Sequence, residues 1–178
     1  MIKNTPSTQS IYFQGNKQLR KILIFGNSGS GKSTLAKSLV KQESLAHLDL
    51  DSLAWLPETP PQRSPKDESK NKIEAFIYSN PAWVIEGCYT DLLEMAAPFA
   101  NEVIFMNLNT YQCVENAKNR PWESHKYESK EAQDKNLAML INWIEQYTKR
   151  DDVFSYSAHL DFYEDFSGKK SMLTKNRG

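Results

Sequence analysis

One segment, G-N-S-G-S-G-K-S at Gly26 to Ser33, constrains the fold of this chain more than any other. It satisfies the phosphate-loop pattern G-x-x-x-x-G-K-[ST] and lies between an apolar run that predicts a strand and residues that favour a helix. Glycines let successive backbone N–H groups point at one anion, and the start of a helix adds the positive end of its dipole. The segment therefore predicts that the chain binds a nucleoside triphosphate.

The residue types in this loop predict separate tasks. The Lys32 ammonium is expected to reach the terminal phosphates, and the Ser33 hydroxyl is expected to bind Mg²⁺ at the helix N-terminus. The residues expected to contact the nucleotide are Gly26, Asn27, Ser28, Gly29, Ser30, Gly31, Lys32, Ser33 and Thr34.

Length and charge limit the remaining possibilities. The 178 residues carry 22 basic and 22 acidic side chains, which fits one domain with a sizeable core. Balanced charge argues against a nucleic-acid partner, because phosphate neutralisation needs clustered Lys and Arg. The chain shows no apolar run that could span a bilayer and no signal-peptide centre. We therefore expect a cytoplasmic protein without a membrane partner and, by default, a monomer.

Strand and helix patterns alternate after a polar N-terminal extension at residues 1–18. Strands are expected at 21–25, 45–50, 83–87 and 103–106, and helices at 32–41, 64–80, 92–99, 111–119 and 130–147. Ser64 and Pro65 indicate the start of the second helix, as its cap and its first residue. This alternation predicts a parallel sheet with helices on both faces. A fifth strand before the last helix is not evident at 152–157.

Acidic residues follow the second and third predicted strands. Ligands bind at the carboxyl ends of the strands in open α/β sheets, so Asp49, Asp51 and Glu86 are expected beside the phosphate loop. Asp51 is the preferred partner of Mg²⁺-bound water; Asp49 is the alternative, which would leave Asp51 to accept a proton from an acceptor hydroxyl. Glu86 is a further candidate. Each of these side chains could instead stabilise a turn.

Several segments together resemble a known family. They are the phosphate loop, D-L-D-S-L-A-W at 49–55, W-V-I-E-G-C-Y at 83–89 and V-I-F-M-N-L at 103–108. They resemble small P-loop kinases of the adenylate kinase and shikimate kinase group, and more closely bacterial relatives labelled adenylate-kinase-related or DNA topology modulation proteins. This resemblance, over about residues 19–166, implies a three-layer α/β/α P-loop fold like that of nucleoside monophosphate kinases. The sheet would have about five strands, with an acceptor-binding segment at 52–80 and a lid at 120–130.

The same resemblance implies a function. The chain would be an ATP- and Mg²⁺-dependent kinase that moves the γ-phosphoryl group of ATP to a small acceptor, either a hydroxylated metabolite or a nucleoside monophosphate. Lys32, Asp51 and the lid residue Arg120 would be catalytic, and Ser33 with Asp51 would hold the metal. The substrate-binding candidates are Asp49, Asp51, Arg63, Glu86 and Arg150.

Some of these assignments have alternatives. Arg120 could simply stabilise a helix C-terminus, and Arg63 could be a solvated loop residue. The lid carries one arginine where nucleotide kinases have several, which favours a hydroxylated acceptor over a nucleotide. The alternative function is a nucleotide-dependent regulatory ATPase or switch without an acceptor. The sequence lacks the N-K-x-D element of GTPases and the apolar run ending in Asp-Glu that is typical of motor ATPases.

Overall fold

The computed structural model describes residues 18–58, 60–124 and 126–176, so nearly all of the expected N-terminal extension lies outside the described residues. The strands are β1 (Lys21–Gly26), β2 (Ala46–Asp49), β3 (Trp83–Gly87), β4 (Glu102–Met106) and β5 (Lys169–Leu173). The helices are α1 (Lys32–Glu43), α2 (Asp51–Ala54), α3 (Lys66–Ser79), α4 (Thr90–Ala96), α5 (Thr110–Lys118), α6 (Lys130–Lys135), α7 (Leu137–Glu145) and α8 (Tyr156–Asp165), and a 3₁₀ turn (Ala97–Phe99) follows α4.

The described strands form one parallel sheet in the order β2-β3-β1-β4-β5. β1 lies at the centre, where Ile24 is in register with Glu86 of β3 and with Ile104 of β4. All carboxyl ends therefore meet at one edge of the sheet, and the phosphate loop leaves that edge from its middle. The predicted three-layer α/β/α P-loop fold, with a parallel sheet of about five strands, is confirmed.

The central strand is buried on both faces. Ile22 and Ile24 pack with α1, α5 and α7, whereas Leu23 and Phe25 pack with the helices of the opposite layer, α2, α3, α4 and α8. Alternate side chains of a strand point to opposite faces, and each apolar side chain that is fully buried contributes about 2 kcal/mol. Because β1 is buried on both faces, its position is fixed, and so is the point at which the phosphate loop begins.

Several helix bounds differ from the predictions by a few residues, and two of the differences have a clear local cause. The single helix expected at 130–147 is divided at Asn136, whose side-chain amide donates to the Ala132 carbonyl at 3.2 Å. An Asn side chain competes in this way with the backbone for helix carbonyls. The helix expected to begin at Pro65 begins one residue later: Pro65 is extended and occupies the cap position, so Ser64 is not the cap.

The fifth strand lies after the last helix, not before it. Residues 152–157, where the expected strand would fall, form a turn and the start of α8, while β5 pairs with β4 at the edge of the sheet. β5 is mostly exposed, and its Lys169 ammonium lies 3.3 Å from the Glu102 carboxylate on the neighbouring strand. None of the described helices combines the length and the apolar character that are needed to cross a membrane.

A buried hydrogen-bonded chain joins the two last helices to the end of β3. The Cys88 carbonyl can only accept, so His159 Nε2–H donates to it at 3.0 Å, and His159 Nδ1 then accepts from the Tyr147 hydroxyl at 2.7 Å. The imidazole is fully buried, which lowers its pKa to about 4. His159 therefore holds this part of the core only in its neutral form.

We expect this histidine to make the protein less stable in acid. The unfolded chain takes up the proton near pH 6.5 and the folded chain near pH 4, so the free energy of unfolding should fall by about 3 kcal/mol as the pH drops through that range. Urea unfolding of the wild type and of His159→Gln at pH 7, 5.5 and 4.5 measures this, because glutamine keeps a donor and an acceptor but does not titrate. Equal pH slopes in both proteins would contradict the prediction.

Candidate active site

The phosphate loop lies close against the ends of β4 and α5. Gly26 and Gly29 have φ angles of +144° and +74°. A Cβ atom at Gly26 would lie 2.4 Å from the Met106 carbonyl oxygen, and one at Gly29 would lie 2.3 Å from the Cys113 carbonyl oxygen. These contacts, together with the positive φ angles, exclude other residues from both positions.

Side-chain amides form hydrogen bonds that hold the phosphate loop in place. Asn116 donates to the Gly29 carbonyl at 2.8 Å, and Asn27 donates to the Ile144 carbonyl at 3.1 Å. The Lys32 ammonium folds back onto the Asn27 carbonyl at 2.8 Å. The N–H groups that begin α1 have no acceptor within the helix, so the loop and the helix N-terminus together present donors to an anion.

Asp49 and Asp51 lie at the adjacent end of β2. The Asp51 N–H donates to Asp49 Oδ1 at 2.9 Å, and the Ser52 hydroxyl donates to the Asp49 carbonyl at 2.6 Å. Asp49 therefore does stabilise the turn, as the alternative assignment proposed. Asp51 is placed differently: it begins α2, and its side chain is 44% exposed.

Two side chains, Tyr89 and Lys126, bind the Asp51 carboxylate directly. The Tyr89 hydroxyl donates to Oδ1 at 2.6 Å, and this hydroxyl accepts from Trp55 Nε1 at 2.8 Å. The Lys126 ammonium, in the segment expected to be the lid, lies 2.9 Å from Asp51 Oδ2 and 3.5 Å from Asp49 Oδ2. The carboxylate pair is therefore joined to the acceptor-binding segment and to the expected lid.

Glu86 brings a third carboxylate to this edge. It is in register with Asp49, and its side chain is 2% exposed. Its Oε1 atom has no hydrogen-bond partner among the described residues, although His47 Nε2 lies 3.5 Å away. A buried carboxylate oxygen without a donor is costly, so it favours a cation or a water at this place.

The pKa values of Asp49 and Asp51 are shifted in opposite directions. Burial, with the nearby charges of Glu86 and Asp51, raises the pKa of Asp49. Burial also acts to raise the pKa of Asp51, but the charge of Lys126, the Tyr89 hydrogen bond and the charge of Lys32 outweigh it and hold this pKa below its usual value. Asp51 is therefore ionised, and it belongs to the same electrostatic site as the phosphate-loop lysine.

The residues present fit Mg²⁺ that keeps most of its water. Within the described residues no three His, Cys, Asp or Glu side chains lie close enough to hold a metal directly. The Ser33 hydroxyl at the start of α1, Asp49 and the unpartnered oxygen of Glu86 are hard oxygen donors, and Mg²⁺ commonly binds through a few such groups, substrate phosphates and water. Mutual repulsion of the carboxylates adds to the affinity of this edge for a cation.

The three arginines considered as site residues all have partners within the chain. Arg63 lies 3.1 Å from Asp91 and also donates to a main-chain carbonyl. Arg120 lies 2.8 Å from Glu123 in the expected lid. Arg150 donates to the Trp143 carbonyl and lies over its ring at 3.5 Å. Among the described contacts, none of the three touches the phosphate loop, Asp49 or Asp51.

The sequence analysis missed Lys126 and Tyr89. Lys126 lies within the expected lid, where Arg120 was the proposed charged site residue. Its partner Asp51 is 75 residues away in the chain, and Asp49 is slightly further. Tyr89 ends the W-V-I-E-G-C-Y segment, so its position just after β3 was a signal available from the sequence. The burial of Lys126 acts to lower the pKa of its ammonium, but the charges of Asp51 and Asp49 raise it above its usual value.

Alanine substitutions at two loop glycines should lower the free energy of unfolding by different amounts. Gly31 has a φ of +88° but open space around its Cβ position, with the nearest atom 3.8 Å away, so Gly31→Ala should cost roughly 1–2 kcal/mol of backbone strain. Gly29→Ala should cost more, because it adds the collision with the Cys113 carbonyl. Urea unfolding of both variants tests this, and equal losses would show that the loop is not held against α5.

Removing the Lys126 charge should raise the pKa of Asp51. Lys126→Met retains the length of the side chain but leaves the carboxylates without their compensating cation. A ¹³C NMR titration of the Asp51 carboxyl measures the shift directly. Lys149→Met, at an exposed position, serves as the control. An unchanged Asp51 titration in Lys126→Met would mean that this ion pair does not persist in solution.

Comparisons with solved structures support the fold. A gluconokinase from Sinorhizobium meliloti 1021 aligns with a TM-score of 0.53 at 14% identity, over 90% of this chain and 85% of its own. A shikimate kinase from Acinetobacter baumannii, solved with shikimate, aligns with a TM-score of 0.51 at 14% identity, over 90% of this chain and 86% of its own. No protein with a curated description matches the sequence.

A family comparison gives the assignment. The profile of the AAA domain family, AAA_18, matches residues 22–136, which begin in β1 and include the phosphate loop, both aspartates and the expected lid. The match covers more than half of the sequence. The chain therefore belongs to the AAA domain family and contains its P-loop domain.

Proposed function

We propose that this chain is an ATP-dependent kinase that transfers the γ-phosphoryl group to a hydroxyl of a small metabolite. One arrangement carries the proposal: the Asp51 carboxylate, held by Tyr89 at 2.6 Å and Lys126 at 2.9 Å, follows β2 at the same edge of the sheet as the phosphate loop with Lys32. Phosphoryl transfer requires charge neutralisation on the phosphate and a group that orients the attacking oxygen. This site has both.

The residues divide the reaction between them. The acceptor oxygen forms a bond to the γ-phosphorus, the bond from that phosphorus to the β–γ bridging oxygen breaks, ADP leaves, and the hydroxyl proton passes to Asp51. The transition state is loose, so the proton need not be removed early and an ordinary carboxylate suffices. Lys32 stabilises charge on the transferred group. Arg120 is the proposed second cation, and it would have to leave its ion pair with Glu123 to reach that group.

Mg²⁺, held at Ser33 with water on Asp49 and Glu86, would neutralise charge on the terminal phosphates. This arrangement leaves Asp51 for the acceptor. It differs from a purely hydrolytic site because Asp51 is joined, through Tyr89 and Trp55, to the segment expected to bind the acceptor.

The charge distribution favours a hydroxylated acceptor over a nucleoside monophosphate. An acceptor phosphate needs nearby cations, but Arg63, Arg120 and Arg150 are engaged by other groups of the chain. Asp49 and Asp51 instead offer acceptors for hydroxyl protons. Both similar solved structures are named as kinases, and at their low identity they support the fold alone. The resemblance to adenylate-kinase-related proteins supports phosphoryl transfer in general.

ADP production measured with Mg²⁺ and ATP tests the proposal. The acceptor panel contains neutral sugars, cyclitols, linear polyols, sugar acids and nucleoside monophosphates. We expect turnover that depends on one hydroxylated class. Lys32→Ala and Asp51→Asn should each lower kcat by about a hundredfold or more. Asp51→Asn should leave the KM for ATP unchanged, and Asp161→Asn, an exposed acid on α8, should leave both constants unchanged.

Two results would contradict the proposal. Slow hydrolysis that no acceptor accelerates would favour the regulatory ATPase instead. Full activity of Asp51→Asn with saturating Mg²⁺ would remove Asp51 from the reaction and leave its side chain a structural role only.

A further inference from the structure

Trp55 is exposed to solvent yet firmly held. Its side chain follows α2 and is 39% exposed, although an indole would contribute more to stability if it were buried. Its backbone pairs with Arg63 in an antiparallel bridge. Two hydrogen bonds lie on either side of this bridge. Leu56 N–H donates to the Gln62 carbonyl at 2.8 Å, and Ser64 N–H donates to the Ala54 carbonyl at 3.0 Å.

The indole ring itself is also fixed in orientation. Nε1–H donates to the Tyr89 hydroxyl at 2.8 Å, and the Arg63 guanidinium lies over the ring, 5.7 Å from its centroid. Arg63 is in turn held by Asp91 and by the rings of Tyr89 and Phe154. An exposed aromatic surface that is held in one orientation loses little entropy when a ligand packs on it. This arrangement favours a binding surface.

The ring lies next to the reacting groups of the proposed site. One hydroxyl, that of Tyr89, joins Trp55 Nε1 to Asp51 Oδ1 through contacts of 2.8 and 2.6 Å. A molecule that packs on the indole is therefore within reach of the carboxylate pair. Carboxylates only accept hydrogen bonds, so they match a ligand with several hydroxyl donors. The edge of a nucleobase would also need amide-like partners.

The same surroundings disfavour an anionic ligand. The guanidinium beside the ring already faces Asp91, with which it forms an ion pair at 3.1 Å. The ammonium of Lys126 is likewise compensated by Asp51 and Asp49. An acid group on the ligand would meet the aspartates without an uncompensated cation to bind it.

We propose that the acceptor is a neutral, ring-shaped polyol, a hexose or a cyclitol, whose C–H face packs on Trp55 while its hydroxyls donate to Asp51 and Asp49. This inference rests on the proposed kinase function and narrows its acceptor. Trp55 provides the contact surface, and Asp51 receives the proton of the hydroxyl that is phosphorylated. Tyr89 positions both.

Steady-state kinetics with four acceptors test this inference: D-glucose, myo-inositol, the linear polyol sorbitol and AMP. We expect turnover of at least one ring polyol and much weaker turnover of sorbitol and AMP. Trp55→Ala should raise the KM for the ring polyol about tenfold and leave the KM for ATP unchanged. Trp55→Phe keeps an aromatic face, so its KM should stay within a few-fold of the wild type. Tyr111→Ala removes an aromatic side chain that is 72% exposed elsewhere and should change neither constant.

A readout independent of activity is saturation-transfer NMR of each acceptor in the presence of Mg²⁺ and ADP. The C–H protons of the ring polyol should receive saturation from wild-type protein and lose it in Trp55→Ala. An unchanged KM and an unchanged NMR signal in Trp55→Ala would overturn the role of the indole.

The outcomes separate this inference from the proposed function. Preferred transfer to sorbitol or to AMP would overturn the inference and leave a kinase. Hydrolysis that no acceptor accelerates would overturn both. An unchanged KM for ATP in Trp55→Ala shows that this variant is folded. Trp55→Phe tests the same contact with a smaller change of side chain.

Discussion

The close approach of the phosphate loop to main-chain carbonyls is the constraint on which the site depends. Gly26 and Gly29 leave no room for a Cβ beside Met106 and Cys113, so the loop is located by backbone atoms of β4 and α5. The backbone of β4 moves little, because this strand is hydrogen-bonded to β1 and β5 on its two sides and is buried on both faces. The donors of the loop are therefore in place before any ligand binds.

The second requirement of this site is compensation of negative charge. Asp49, Asp51 and Glu86 converge at the edge where β2 and β3 end, and they repel one another. Lys126 offsets part of this repulsion from the expected lid, and Lys32 offsets part from the loop. Each carboxylate consequently has a different environment: Asp49 binds the turn, Asp51 accepts hydrogen bonds from side chains, and Glu86 retains a buried oxygen without a donor.

Local patterns predicted the phosphate loop, the ends of the strands and the position of the aspartates. Such features depend on the residue types within a short segment of sequence. Other features depend on distant contacts. β5 contains two lysines and is a strand because it pairs with β4, and the Lys126 contact with Asp51 spans 75 residues. Arg63 likewise pairs with Asp91, 28 residues away, and with the still more distant Phe154. A single sequence carries no signal for such pairs, so the separate environments of the three carboxylates could not be predicted.

The hydrogen bonds that join Tyr147, His159 and Cys88 depend on Tyr147 and His159, which the ribosome adds late in synthesis. The segment matched by the family profile ends at residue 136, yet Ile144 covers one face of the sheet and Phe162 covers the other. Until α7 and α8 have emerged, β1 lacks part of its cover on both faces, and Cys88 lacks its buried donor. A nascent chain that has not yet reached α7 and α8 therefore leaves apolar strand surface uncovered, and such surface can associate with other chains.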